Sequence, residues 1–132
     1  MTQHNHAVVW IDSHEARVFR FGPDDVERLV LRPHDPHVHI HHKANTIGSG
    51  HASEDHAFLQ SVVDAFGPAK AVLVTGPGLA KTALVKHIAK HDPREMDRVS
   101  GVETVDHPTD AALVAHAREY FRAADRMTPQ KV

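Results

Sequence analysis

Apolar residues fall along this chain in two kinds of pattern. The runs Ala7-Val8-Val9-Trp10-Ile11 and Ala71-Val72-Leu73-Val74 are continuous. That absence of alternation predicts strands covered on both faces. Arg17, Phe19 and Phe21 instead alternate with Ala16, Val18 and Arg20, and after the turn residues Gly22-Pro23-Asp24-Asp25 a further strand runs from Val26 to Leu31. With Asp12-Ser13 closing the first strand, the tight connections predict an antiparallel meander of three strands.

Helical spacing takes over after residue 53. Ser53 is placed to cap a helix whose first turn holds Glu54 and Asp55, and Phe58, Leu59, Val62, Val63 and Phe66 form its apolar face. Gly67-Pro68 ends it. The turn Gly76-Pro77-Gly78 leads from the fourth strand into a helix from Leu79 to His91. There Ala80, Ala83, Leu84, Val85 and Ile88 are expected inside, and Lys81, Lys86, His87 and Lys90 outside, before Asp92-Pro93 closes the helix. A short strand over Gly101–Val105 follows, then a last helix capped by Thr109 with Leu113, Ala117, Tyr120, Phe121 and Ala124 facing the core. The expected fold is α/β: a ribonuclease-H-like mixed sheet, ordered β-β-β-α-β-α-β-α, with helices on its faces. Residues 1–126 are expected to form one domain and 127–132 a frayed tail.

Composition narrows the chemistry. The chain of 132 residues has no cysteine, which excludes disulfides, thiolate metal sites and a cysteine nucleophile. No apolar run approaches the roughly 20 residues needed to span a bilayer, and the N-terminus lacks the pattern of a secretory signal, so a cytoplasmic protein is expected. A net charge of -2 with 14 histidines counted as neutral leaves no global basic signature. Nucleic acid would have to be met by a local patch.

Four patterns are candidates for such local chemistry. Asp12 stands where a ribonuclease-H-like nuclease would carry its first metal-binding carboxylate, but the fourth strand ends in Val74-Thr75-Gly76 without an acid, and no motif surrounds Glu54, Asp106 or Asp110. Thr75-Gly76-Pro77-Gly78-Leu79-Ala80-Lys81-Thr82 resembles a phosphate loop only in position, because Thr75 and Ala80 replace the required glycines. If residues 37–41 are extended, His37, His39 and His41 share one face with Cα atoms roughly 6.6 Å apart, and could hold a divalent metal such as zinc or nickel, with His42 and His51 available to add ligands. A solvated histidine ladder is the alternative reading. Arg118, Arg122 and Arg126 recur every four residues along the last helix, and Lys81, Lys86 and Lys90 enrich another; either row could meet phosphates or be an ordinary solvated face.

The stretch His6-Ala7-Val8-Val9-Trp10-Ile11-Asp12, with His39-Ile40-His41-His42-Lys43-Ala44-Asn45 leading through Ile47-Gly48-Ser49-Gly50-His51 into a helix, resembles bacterial proteins described as translational machinery proteins. These in turn resemble the middle domain of archaeal and eukaryotic peptide-chain release factors and of the ribosome-rescue protein pelota. Leu73-Val74-Thr75-Gly76-Pro77 and Val102-Glu103-Thr104-Val105-Asp106-His107-Pro108 fit the same resemblance, which covers most of the chain. It implies a ribosome, tRNA or rRNA partner. It also places a tip between the meander and the first helix, where release factors carry the Gly-Gly-Gln that promotes peptidyl-tRNA hydrolysis. Here that tip reads Gly48-Ser49-Gly50-His51, with no glutamine to orient a water.

The expected function is therefore a noncatalytic ribosome- or RNA-associated protein using Lys43, Asn45, Gly48, Ser49, Gly50 and His51, with Arg118, Arg122 and Arg126 as further phosphate contacts. The alternatives are a histidine-rich protein binding divalent metal through His37, His39 and His41, and a metal-dependent nuclease. An exposed edge of the meander could support a homodimer.

Overall fold

Ala7 to Ile11 are buried to the last residue, and the topology explains why an unalternating run is needed there. In the computed structural model, which describes residues 5–33 and 55–127, strand β1 (His6–Ile11) is the centre of a five-stranded sheet. Around it lie β2 (Ala16–Phe21), β3 (Val26–Leu31), β4 (Ala71–Gly76) and β5 (Val99–Thr104), in the order β3-β2-β1-β4-β5. β1 pairs antiparallel with β2 from His6↔Phe21 to Ile11↔Ala16, and parallel with β4 from His6↔Ala71 to Trp10↔Thr75. β2 pairs antiparallel with β3, and β4 parallel with β5, so the sheet is mixed as expected.

Helix α1 (His56–Ala65) and helix α2 (Ala80–His91) cover one face of the sheet, where Ala7, Val9 and Ile11 meet Phe58, Leu59, Val62, Leu84 and Ile88. Helix α3 (Asp110–Met127) covers the other, where Val8, Trp10, Phe19 and Leu73 meet Leu113, Ala117 and Phe121. The period-2 geometry of a strand sends alternate residues of β1 to opposite cores, so both parities must be apolar. Each Val, Leu or Ile buried this way contributes about 1.5–3 kcal/mol before conformational entropy is counted.

Several boundaries differ from the sequence reading for local reasons. Asp55, not Ser53, is the N-cap of α1: its carboxylate accepts from the Phe58 amide at 3.0 Å. A two-residue misplacement of this kind arises because Ser53 and Asp55 are both competent caps and only the tertiary position of the first turn chooses between them. Gly67 does end α1, adopting a φ of 58° that side-chain-bearing residues resist. The closure at Asp92-Pro93 is followed by a 3-10 helix over Pro93–Arg98, which apolar periodicity did not signal because it buries no residue. Its Arg98 donates to the carbonyls of Ala69 at 2.8 Å and Gly67 at 2.6 Å, pinning the α1–β4 connection. β5 begins two residues earlier than expected, at Val99.

Trp10 joins the sheet to the β5–α3 connection. Its indole N–H donates to the Asp106 carbonyl at 2.6 Å, with the Val105 carbonyl at 3.3 Å. Thr75, also fully buried, satisfies its hydroxyl on the Val9 carbonyl at 2.9 Å. Among the described residues no helix is long and apolar enough to cross a membrane.

Candidate functional site

Lys43, Asn45, Gly48, Ser49, Gly50 and His51, and with them His37, His39 and His41, lie outside the described residues, as do Ser53 and Glu54. In chain order they fall between β3, which ends at Leu31 on the sheet edge, and α1, which is capped by Asp55.

Asp12 sits just past the end of β1, and its carboxylate is engaged as a turn residue. Oδ1 accepts from the amides of His14 at 2.8 Å and Glu15 at 2.9 Å. Oδ2 is 3.9 Å from Nε2 of the exposed His107, whose Nδ1 lies 3.2 Å from Asp106. Asp110 is drawn away into ion pairs with Arg17 and Arg28. Among the described residues these carboxylates do not converge into a metal-sized cluster, which is what two-metal phosphodiester hydrolysis requires.

Lys81 turns back onto its own helix start, donating to the Gly78 carbonyl at 2.6 Å. Arg118 is equally committed: Nη1 donates to the carbonyls of Gly22 at 2.7 Å and Pro23 at 3.1 Å, Nη2 to that of Asp25 at 3.3 Å, and the guanidinium stands 5.1 Å from the Phe21 ring centroid. It clamps the β2–β3 turn onto α3. Arg122 is exposed and paired with Glu119 at 2.5 Å, and Arg126 lies in the last turn of the helix. The arginine row thus divides by role, one member holding the fold and the next facing solvent.

A grouping that apolar periodicity did not isolate lies where α1 begins beside α2. His56 opens α1, and His87 and His91 stand one turn apart on α2, with ring centroids 4.7 Å apart for His87 and His91, 5.4 Å for His56 and His91, and 5.7 Å for His56 and His87. His87 was expected in solvent and is instead buried, only 6% exposed. Neighbouring helix α1 covers it, a packing that the helical period of α2 alone could not reveal. Burial, then the adjacent His91 and His56, push its pKa below 6.5, so the ring is neutral near pH 7. The signal present in the sequence was the spacing of His87 and His91, four residues apart on one helix face.

No protein-family model matches the chain, and no curated protein matches its sequence. Solved structures do. The Pelota protein of Thermoplasma acidophilum superposes with a TM-score of 0.57 at 18% identity, covering 91% of this chain and 32% of its own. Pelota of Archaeoglobus fulgidus does so with a TM-score of 0.59 at 15% identity, covering 91% of this chain and 35% of its own. The fold is similar to that of Pelota. An archaeal translation termination factor is also matched, with a TM-score of 0.47 at 21% identity, over 96% of this chain and 40% of the other. The α/β mixed sheet that the resemblance to the release-factor and Pelota middle domain implies is therefore the fold observed, and the chain spans about a third of the length of the Pelota chains.

Proposed function

We propose that this chain is a noncatalytic, ribosome- or RNA-associated protein of the translation machinery. The observation that carries this reading is the Pelota-like fold over 91% of the chain; in chain order, Lys43 to His51 fall between β3 and α1. Fold likeness alone does not establish function, so the reading rests equally on the chemistry of that segment. Lys43 and Asn45 supply a cation and an amide for phosphate and base edges, and Gly48 and Gly50 allow close backbone approach. Without a glutamine at the Gly48-Ser49-Gly50-His51 tip, the segment serves contact and not hydrolysis. Arg122 and Arg126 are secondary phosphate contacts; Arg118 supports them by holding α3 against the β2–β3 turn.

Co-sedimentation with ribosomes from the source cells, or binding to tRNA, tests the proposal. Association should weaken steeply with added salt, as counterion release requires. Lys43→Ala combined with Asn45→Ala should reduce it by about tenfold, the loss of one charged and one polar contact. Absence of association at low salt would overturn the reading.

A further inference from the structure

His87, His56 and His91 each offer one ring nitrogen such that all three atoms lie within 4.8 Å of one another. We propose that these three residues form a binding site for a borderline divalent cation of the Zn(II) class, with an open fourth position. This site is distinct from the His37, His39 and His41 ladder and does not depend on the ribosome reading.

The case begins with His87. Its Nε2 is 2.9 Å from Oε1 of Gln60, an oxygen that can only accept, so the ring donates from Nε2 and keeps its lone pair on Nδ1. The amide orientation of Gln60 is set in turn, because its Nε2 donates to Asp64 at 3.0 Å. Asp64, Gln60 and His87 form a relay that fixes the tautomer and the ring plane. Outer-shell hydrogen bonds of this kind orient metal-bound imidazoles. At the other end of the ring, Nδ1 is buried and has no hydrogen-bond partner among the described residues. A buried lone pair without a partner is costly in a polar cluster and is what a metal would satisfy.

His91 follows four residues later on the same helix face, the spacing by which two imidazoles of one helix share a zinc. His56 completes the set from the first position of α1, so the site ties two helices together. Tetrahedral Zn–N bonds of about 2.0–2.1 Å place ligand nitrogens roughly 3.3 Å apart. His56 and His91, both exposed, can rotate inward to reach that spacing, while buried His87 stays fixed. The three rings line an open depression, which leaves room for water or another donor as fourth ligand.

Ligand type selects the metal. Three imidazoles without a carboxylate suit zinc, nickel or copper and disfavour magnesium and calcium, which need oxygen donors. Lys86 and Lys90 line the same depression and repel a dication, which weakens binding relative to a charge-neutral surround. They also favour an anionic or hydroxide fourth ligand.

The test uses the full chain, tag-free and stripped of metal, titrated with Zn(II) and followed by imidazole nitrogen NMR, with Co(II) absorption as a second readout. The expected result is one equivalent bound, with the resonance of His87 Nδ1 shifting together with those of His56 and His91. His56→Asn and His91→Asn, both at exposed positions, should each weaken binding by at least about tenfold, and Gln60→Ala by about 10–100-fold. Replacing His37, His39 and His41 together by Asn should leave this equivalent in place. The proposal is overturned if His56, His87 and His91 do not respond to Zn(II), if His56→Asn and His91→Asn bind as the parent does, or if the triple variant at His37, His39 and His41 alone abolishes binding.

Discussion

Arg17 on β2 and Asp110 at the start of α3 meet at 2.6 Å although 93 residues separate them in the chain. Arg28 on β3 reaches the other carboxylate oxygen at 2.8 Å, so one acid binds the meander to the last helix. Partial burial works to raise the Asp110 pKa. The Arg17 hydrogen bond, followed by the charges of Arg28 and Arg17, outweighs it and holds the carboxyl below its ordinary 3.8. An acid with a depressed folded pKa stabilises the fold above the unfolded value, and that stability is lost as pH falls through the lower folded value. Urea unfolding across a pH series should therefore show a decline below about 3.8 that Asp110→Asn flattens. At pH 7 the substitution should cost about 1–2 kcal/mol, kept modest by solvent screening of a half-exposed carboxylate.

Trp10→Phe removes the indole donor while retaining an aromatic ring at the centre of the sheet. The Asp106 carbonyl, now 2.6 Å from the indole nitrogen, loses its partner and a small void opens. A loss of about 2 kcal/mol is expected from the hydrogen bond and the missing volume together. Denaturation followed by circular dichroism checks it, since the variant has no tryptophan. Unchanged stability would mean that the indole bond to the β5–α3 connection contributes nothing.

Gly67→Ala should destabilise for two separable reasons. A φ of 58° costs an L-residue about 1–2 kcal/mol, and an added Cβ would also collide with the guanidinium of Arg20. That guanidinium is held by Glu27 at 2.7 Å. Comparing Gly67→Ala in the parent and in an Arg20→Ala background isolates the steric part as a coupling energy. A coupling near zero would show that Arg20 moves aside without cost.

Arg118 and Arg122, neighbours in the same row, should behave differently. Arg118→Ala leaves the carbonyls of Gly22, Pro23 and Asp25 without this donor and should cost about 1.5–3 kcal/mol. Arg122→Ala, breaking an exposed pair with Glu119, should cost under about 1 kcal/mol. If the row also meets phosphates, Arg122→Ala should lower the salt dependence of RNA binding while stability stays near that of the parent. Parallel denaturation and binding measurements separate the two roles.

The strands and helices were legible along the chain wherever burial imposes a period. Ala7 to Ile11 and Val72 to Val74 had to be apolar at both parities because helices cover both faces, and Phe58, Leu59, Val62, Val63 and Phe66 mark one helical stripe. Turn chemistry likewise placed the end of α1 at Gly67 and the start of α3 beside Thr109, whose hydroxyl accepts from the Ala112 amide at 3.1 Å. What could not be read this way depends on which surface meets which. His87 looked solvent-facing from α2 alone and is buried because α1 packs beside it, bringing Gln60 and His56 to its two sides. Arg118 looked like a free cation and is committed to carbonyls more than 90 residues away. Local sequence determines elements through short-range sterics and periodic burial, whereas the partners of a polar side chain are chosen by long-range packing, and only the tertiary structure decided those.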